Sequence, residues 1–217
     1  MSLVAFDFDG TLADAEMIDR LGREAGVGDE VAAITGRAMR EEVEYAPSLR
    51  KRAALLEGLA HDRVDSAYAE IQLRPGAGDL LRDLHEAGNT VAILSGGFQR
   101  GIESALDRAG IAVDTLVANE LPAAGDAPDG HLTGEVTGPL VEGRKDDALA
   151  DICATQGFAL QDVTAVGDGA NDRPMLEVAG LAVGFDPKPA VEPSCDVTVA
   201  GMPALRSVFE AEGLVTR

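Results

Sequence analysis

The chain has 217 residues, 46% of them hydrophobic, enough for one large domain or for a core that carries a smaller insert. A formal net charge of -20 argues against nonspecific nucleic-acid binding, which needs a basic surface to displace counterions from phosphates. No apolar run approaches the roughly 18 residues of a membrane span, and MSLVAFDFDG puts acids where a signal peptide would be positive and apolar, so a cytoplasmic protein is expected.

Leu3 to Phe8 is a short apolar run ending in acidic and glycine residues, the pattern of a buried parallel strand. From residue 14 to residue 73 no strand pattern occurs. Helical periodicity recurs there around Ala15 to Ala25, Glu30 to Arg40, Ser48 to Leu59 and Val64 to Gln72. This predicts a helical insert, residues 14–73, over the mouth of a core made of residues 1–13 and 74–217. A helix is expected over Gly78 to Ala87, a strand over Thr90 to Leu94, a helix over Gln99 to Ala109 and a weaker strand over Thr115 to Val117. Leu121 to Leu140 is irregular, and Asp129-Gly130 within it fits either a hairpin turn or a plain surface loop. A helix over Lys145 to Gln156 and strands over Val163 to Val166 and Leu181 to Val183 complete the series. Such alternation implies an α/β fold: an open, Rossmann-like parallel sheet with helices on both faces and a ligand site beyond the carboxyl ends of its strands.

Four constellations lie at such ends. In DFDGTLAD, Asp7 and Asp9 are two residues apart on an extended chain and so point to one side. One carboxylate can attack phosphorus while the other protonates the leaving oxygen and later activates water. In LSGGF, the Ser95 hydroxyl and the amides of Gly96 and Gly97 before a helix starting near Gln99 would make an anion site. Lys145 opens its helix, where the dipole disfavours a cation unless an anion compensates. AVGDGANDRPML supplies Asp168 and Asp172, separated by a turn containing Gly169 and Asn171, as hard oxygen donors that suit Mg²⁺. Taken singly, each motif is also readable as ordinary turn, cap or surface chemistry.

Taken together and in this order, the motifs resemble the haloacid dehalogenase superfamily of phosphatases. The strings EMIDRLGREAGV, SLRKRAALL, LSGGF, LTGEV and AVGDGANDRPML extend the likeness to the branch that acts on O-phosphoserine in the last step of serine biosynthesis. The resemblance implies an Mg²⁺-dependent reaction through an aspartyl-phosphate, with a small phosphomonoester as partner. In it Asp7 is the nucleophile and Asp9 the general acid and base, Asp9 also binding metal through its carbonyl. Asp7 and Asp168 are metal ligands, and Asp172 supports them. Ser95, Gly96, Lys145 and Asn171 hold substrate, while Glu16 and Arg52 take the ammonium and carboxylate of the amino acid. Met39 and Tyr45 are expected in the helical cap near the ligand. The residues alone leave Glu16 as a first-turn acid and Arg52 as a surface residue equally open, and Arg173-Pro174 leaves the local helix geometry undecided. Two other readings stand beside this one: the same fold acting on another phosphomonoester or acceptor, and a noncatalytic phosphate-binding protein, which would be expected to have lost Asp7 or Asp9.

The remaining composition is less specific. Lysine occurs only at Lys51, Lys145 and Lys188, and the acid excess suits a salt-rich source, where a Debye length of about 3 Å near 1 M salt makes self-repulsion cheap. Cys153 and Cys195 fit neither a disulfide scaffold nor a zinc site, and His61, His85 and His131 form no ligand or triad spacing. The sequence leaves monomer and homodimer open.

Overall fold

In the computed structural model, which describes residues 1–39, 42–125 and 129–216, β1 (Leu3–Phe6) is flanked by parallel strands on both sides. Chain order continues with four helices, α1 (Met17–Glu24), α2 (Gly28–Met39), α3 (Tyr45–Ala54) and α4 (His61–Ala69), then α5 (Ala77–Glu86), β2 (Thr90–Phe98), α6 (Gln99–Ala109) and β3 (Thr115–Asn119). A two-stranded pair, β4 (Ala123–Ala124) and β5 (His131–Leu132), precedes α7 (Lys145–Gln156), β6 (Val163–Gly167), α8 (Arg173–Val178), β7 (Leu181–Phe185), β8 (Val197–Val199) and α9 (Met202–Ala211). The sheet order is β3-β2-β1-β6-β7-β8, with Leu3 opposite Thr90 on one side and Val163 on the other. Covered on both faces, β1 has no polar position to spare. Val4 and Phe6 join the apolar cluster of α5, α6 and α9, where Phe6 meets Phe209 edge to face at 6.0 Å. Leu3 and Ala5 point the other way, into the cluster of α7 and α8.

The first four helices stand between β1 and α5, and Met17, Leu21, Leu49 and Val64 extend the Val4 and Phe6 cluster over that end of the sheet. The chain leaves and returns side by side: Ala13 pairs with Leu73, and the Arg74 amide donates to the Leu12 carbonyl at 2.8 Å. The Arg74 guanidinium donates to the Gly10 carbonyl at 2.9 Å, pairs with Asp14 at 3.1 Å and lies over the Phe185 ring.

Two local expectations are corrected. The second strand does not stop at Leu94 but runs to Phe98, with an irregular register against β3 between Leu94 and Phe98. Ser95, Gly96 and Gly97 therefore lie on a bulged strand end, one residue clear of the first turn of α6. β1 ends at Phe6, short of its apolar run, although the Asp7 amide still donates to the Val166 carbonyl at 2.9 Å. At the irregular stretch Ala123 pairs with Leu132 and Ala124 with His131 in an antiparallel pair, and residues 126–128 between them lie outside the described residues. Pro174 falls in the first turn of α8, where a missing amide costs nothing. Cys153 is buried and Cys195 partly so, and both are free thiols. Among the described residues no helix is long and apolar enough to cross a membrane.

Candidate active site

At the carboxyl end of the sheet lies a cavity of about 400 Å³. Asp7, Asp9, Ser95, Gly96, Asp168 and Asn171 line it from the sheet side, and Glu16, Arg52 and Tyr45 from the helical side. Lys145 and Asp172 lie beneath that surface, 1% and 0% exposed. The structure thus gathers all the residues singled out from the sequence, apart from Met39, whose side chain lies outside the described residues.

Lys145 is no surface lysine. Its ammonium donates to Asp7 Oδ1 at 2.6 Å and to Asp172 Oδ1 at 2.5 Å. Asp172 is saturated: Asn171 also donates to Oδ1 at 3.4 Å, and the amides of Asp168 and Gly169 both donate to Oδ2 at 2.9 Å. All four of its lone-pair directions are spent on orienting its neighbours. Close packing carries the same logic to Gly10, at φ +85°, where a Cβ would stand 2.6 Å from the Asp168 carboxylate. A Cβ at Gly96 would run into the Tyr45 hydroxyl, so the bare strand end lets α3 reach the site. The Ser95 hydroxyl accepts the Gly97 amide at 3.0 Å, which fixes the bulge.

On the helical side Asp9 Oδ2 accepts the Met17 amide at 3.1 Å, joining β1 to the start of α1, where Glu16 is the N-cap. Arg52 is buried at 6% exposure, not a surface residue of its basic run. Its Nη1 donates to Thr35 Oγ1 at 3.2 Å and its Nε to the Ser48 carbonyl at 3.4 Å. Thr35 in turn donates to Asp19 at 3.3 Å.

Charge crowding dominates the electrostatics. Burial, then the Asp172 charge, pushes Asp7 well above the usual carboxylate range against the pull of Lys145. Burial and the neighbouring Glu16 and Asp7 charges raise Asp9 likewise. Glu16 is raised by burial and opposed chiefly by Lys188, while Asp168 is raised by burial and Asp172 and opposed by Lys188. Burial alone would lower Lys145, but Asp172 and Asp7 overcome it and hold its ammonium above lysine's usual range. Ligand atoms of Asp7, Asp168 and Asp172 lie within 4.8 Å of one another. One Asp9 oxygen, Oδ1, is enclosed without a hydrogen-bond partner among the described residues. Hard carboxylate oxygens in excess of nearby cations fit a small divalent cation. Because Asp172 is saturated, Asp7 and Asp168 are the two with an oxygen to offer.

Sequence reasoning overlooked Lys188, whose Nζ donates to Asp168 Oδ2 at 2.7 Å, and Thr35, which holds Arg52. Lys188 could have been noticed as one of three lysines, set between Pro187 and Pro189 just past a strand end. Thr35 carries no signal, since it matters only through the helix packed against it.

A buried carboxylate at a strand end, a second acid two residues on, a buried lysine and a metal-competent acid cluster together fit a phosphoryl-transfer site. The chain belongs to the haloacid dehalogenase-like hydrolase family, whose model matches residues 4–177. It is 55% identical over 214 residues to the phosphoserine phosphatase of Halobacterium salinarum, covering 99% of this chain and 100% of that one. To the phosphoserine phosphatase of Methanocaldococcus jannaschii it is 39% identical over 198 residues, 91% of each chain. Two solved structures superpose with TM-scores of 0.87 at 36% identity, over 97% of this chain. One is a phospho-aspartyl intermediate analogue of a phosphoserine phosphatase, covered over 98%, and the other a substrate-bound phosphoserine phosphatase complex, covered over 97%.

Proposed function

We propose that this protein hydrolyses O-phosphoserine to serine and phosphate, in the last step of serine synthesis, with Asp7 as nucleophile and Mg²⁺ as cofactor. The observation that carries this reading is that the cavity lined by the Asp7 and Asp9 pair is also lined, on its helical side, by the acid Glu16 and the buried cation Arg52. A zwitterionic phosphomonoester asks for that arrangement, and the two relatives and two solved structures described above support it. Residues 14–73 are proposed as a cap that selects the substrate, and residues 1–13 and 74–217 as the core that performs the chemistry.

Lys145 donates to Asp7 Oδ1 and steadies the carboxylate as it attacks phosphorus in line with the serine oxygen. As the phosphorus–serine oxygen bond breaks, Asp9 gives its proton to that oxygen, a role helped by the burial that keeps it above the usual carboxylate range. Asp9 then takes a proton from water, whose oxygen attacks phosphorus and frees Asp7. Ser95, the Gly96 amide, Asn171 and Lys145 are assigned to the phosphoryl oxygens, with Lys145 acting from behind Asp7. Asp7, Asp168 and the Asp9 carbonyl would hold Mg²⁺, which when bound supplies positive charge to the transferring phosphoryl group.

Phosphate release from a panel of phosphorylated metabolites, with Mg²⁺ and with chelator, tests the reading. O-phosphoserine should lead the panel and chelator should stop the reaction. Activity on sugar phosphates alone would assign another substrate to the same machinery. A cytoplasmic, salt-adapted protein is proposed on the net charge of -20 and on the Halobacterium relative. Stability should then rise from low to molar KCl, and a flat response would refute salt adaptation.

A further inference from the structure

We propose that Lys188 is a positioning residue that holds Asp168 to one free carboxylate oxygen and so tilts the site toward a small octahedral cation and against a larger one. The inference rests on the reading above that Asp7 and Asp168 bind a divalent cation.

Three features carry it. The Lys188 ammonium occupies Asp168 Oδ2 at 2.7 Å, while the Lys188 amide donates to the Asp168 carbonyl at 2.9 Å, so two bonds join the same two residues. The lysine is set firmly: Pro187 and Pro189 flank it, and its carbonyl accepts the amides of Val191 at 3.0 Å and Glu192 at 3.2 Å. Its side chain is 30% exposed and lines the cavity, where it also feels Glu16.

The consequence follows from the oxygens that remain. Lys145 takes Asp7 Oδ1, Asp172 is saturated, and Lys188 takes Asp168 Oδ2. Each ligating aspartate keeps one oxygen, which leaves most of the coordination sphere to water and phosphate. Mg²⁺ demands octahedral geometry, retains several waters and loses little by single-oxygen ligation. Ca²⁺ takes more ligands at longer distances and gains from carboxylates that bind through both oxygens. An ammonium on Oδ2 denies it that gain, and a lysine costs both ions alike only through its charge.

Calorimetric titration of the full chain with Mg²⁺ and with Ca²⁺, in the absence of substrate, separates the two effects. Lys188→Met should tighten Ca²⁺ binding more than Mg²⁺ binding, shifting the ratio of dissociation constants by about tenfold, the lower end for partners of metal ligands. Lys188→Arg, which restores a charged donor, should return the ratio toward wild type. Lys188→Gln, too short to reach Asp168 Oδ2, gives the same comparison if the Met variant does not fold. Equal changes for both ions would reduce Lys188 to a surface charge and overturn the proposal, as would an unchanged ratio. If wild type binds neither ion, the divalent-cation reading itself fails, a result distinct from binding with an unaltered ratio.

Discussion

The two ends of the cavity are built in opposite ways. At the sheet end Lys145, Asp7 and Asp172 are almost wholly excluded from water, and Asp172 has no capacity left for a further partner. At the helical end Arg52 is held by one hydroxyl and one carbonyl, and Glu16 sits half-buried at the N-cap of α1. The first arrangement suits a group common to every phosphomonoester, because a saturated buried network has one geometry. The second suits a group that differs between substrates, because its few supports can change without disturbing the sheet. On the proposed function, chemistry and selection are thereby separated along one cavity.

The sharpest way to break the comparison is at the nucleophile. Asp7→Asn should lower phosphate release by roughly four orders of magnitude or more, as loss of a nucleophile does elsewhere, with the circular dichroism spectrum retained. Near-normal turnover would end the covalent mechanism. Next comes the buried lysine. Lys145→Met leaves two buried carboxylates without their partner and should cost about 3–5 kcal/mol in denaturant unfolding. Because the folded Lys145 is held above lysine's usual range, its contribution is complete below that range and is lost only as pH rises through the folded value.

The helical end should respond differently. Arg52→Ala, losing a charge-assisted contact of roughly 1.5–3 kcal/mol, should cut kcat/KM for O-phosphoserine by about one to two decades while sparing a small aryl phosphate. Equal losses on both substrates would place Arg52 in general closure rather than selection. The smallest expected effect is the pH response of the crowded acids. Asp168 folds with its carboxyl above the ordinary value, so the folded state binds its proton more tightly than the unfolded state does. In chelator, stability should therefore fall as pH rises upward from the ordinary Asp range of about 4. Asp168→Asn should flatten that fall, leaving the metal-free protein more stable at pH 7 than the parent. A slope unchanged by the substitution would show that Asp168 carries no such penalty.

How much of this was legible depended on whether a feature is local. The strands β1, β2 and β6 could be read because a strand covered on both faces is a continuous apolar run, and the acids of the candidate site follow such runs directly. The extension of β2 to Phe98 was not legible, since Gly96-Gly97 looks like the end of a strand and only the pairing of Phe98 with Asn119 shows that it continues. Burial of Lys145 and Arg52 was also invisible to periodicity. A charged side chain is buried when its partners arrive from elsewhere, and Asp7 is 138 residues from Lys145 while Thr35 is 17 from Arg52. Family resemblance supplied both residues where spacing alone left them as surface groups. Lys188 escaped both routes, belonging to no motif and gaining meaning only beside Asp168.

The pairing of Ala13 with Leu73, stitched by Arg74 to the Gly10 carbonyl and to Asp14, has a consequence for how such enzymes diversify. A segment whose two ends meet at one point makes no demand on the order of the strands beneath it. A different insert grafted at the same stitch would meet the same carboxylates, so new substrate ranges are open to exchange at this point while the reaction stays untouched.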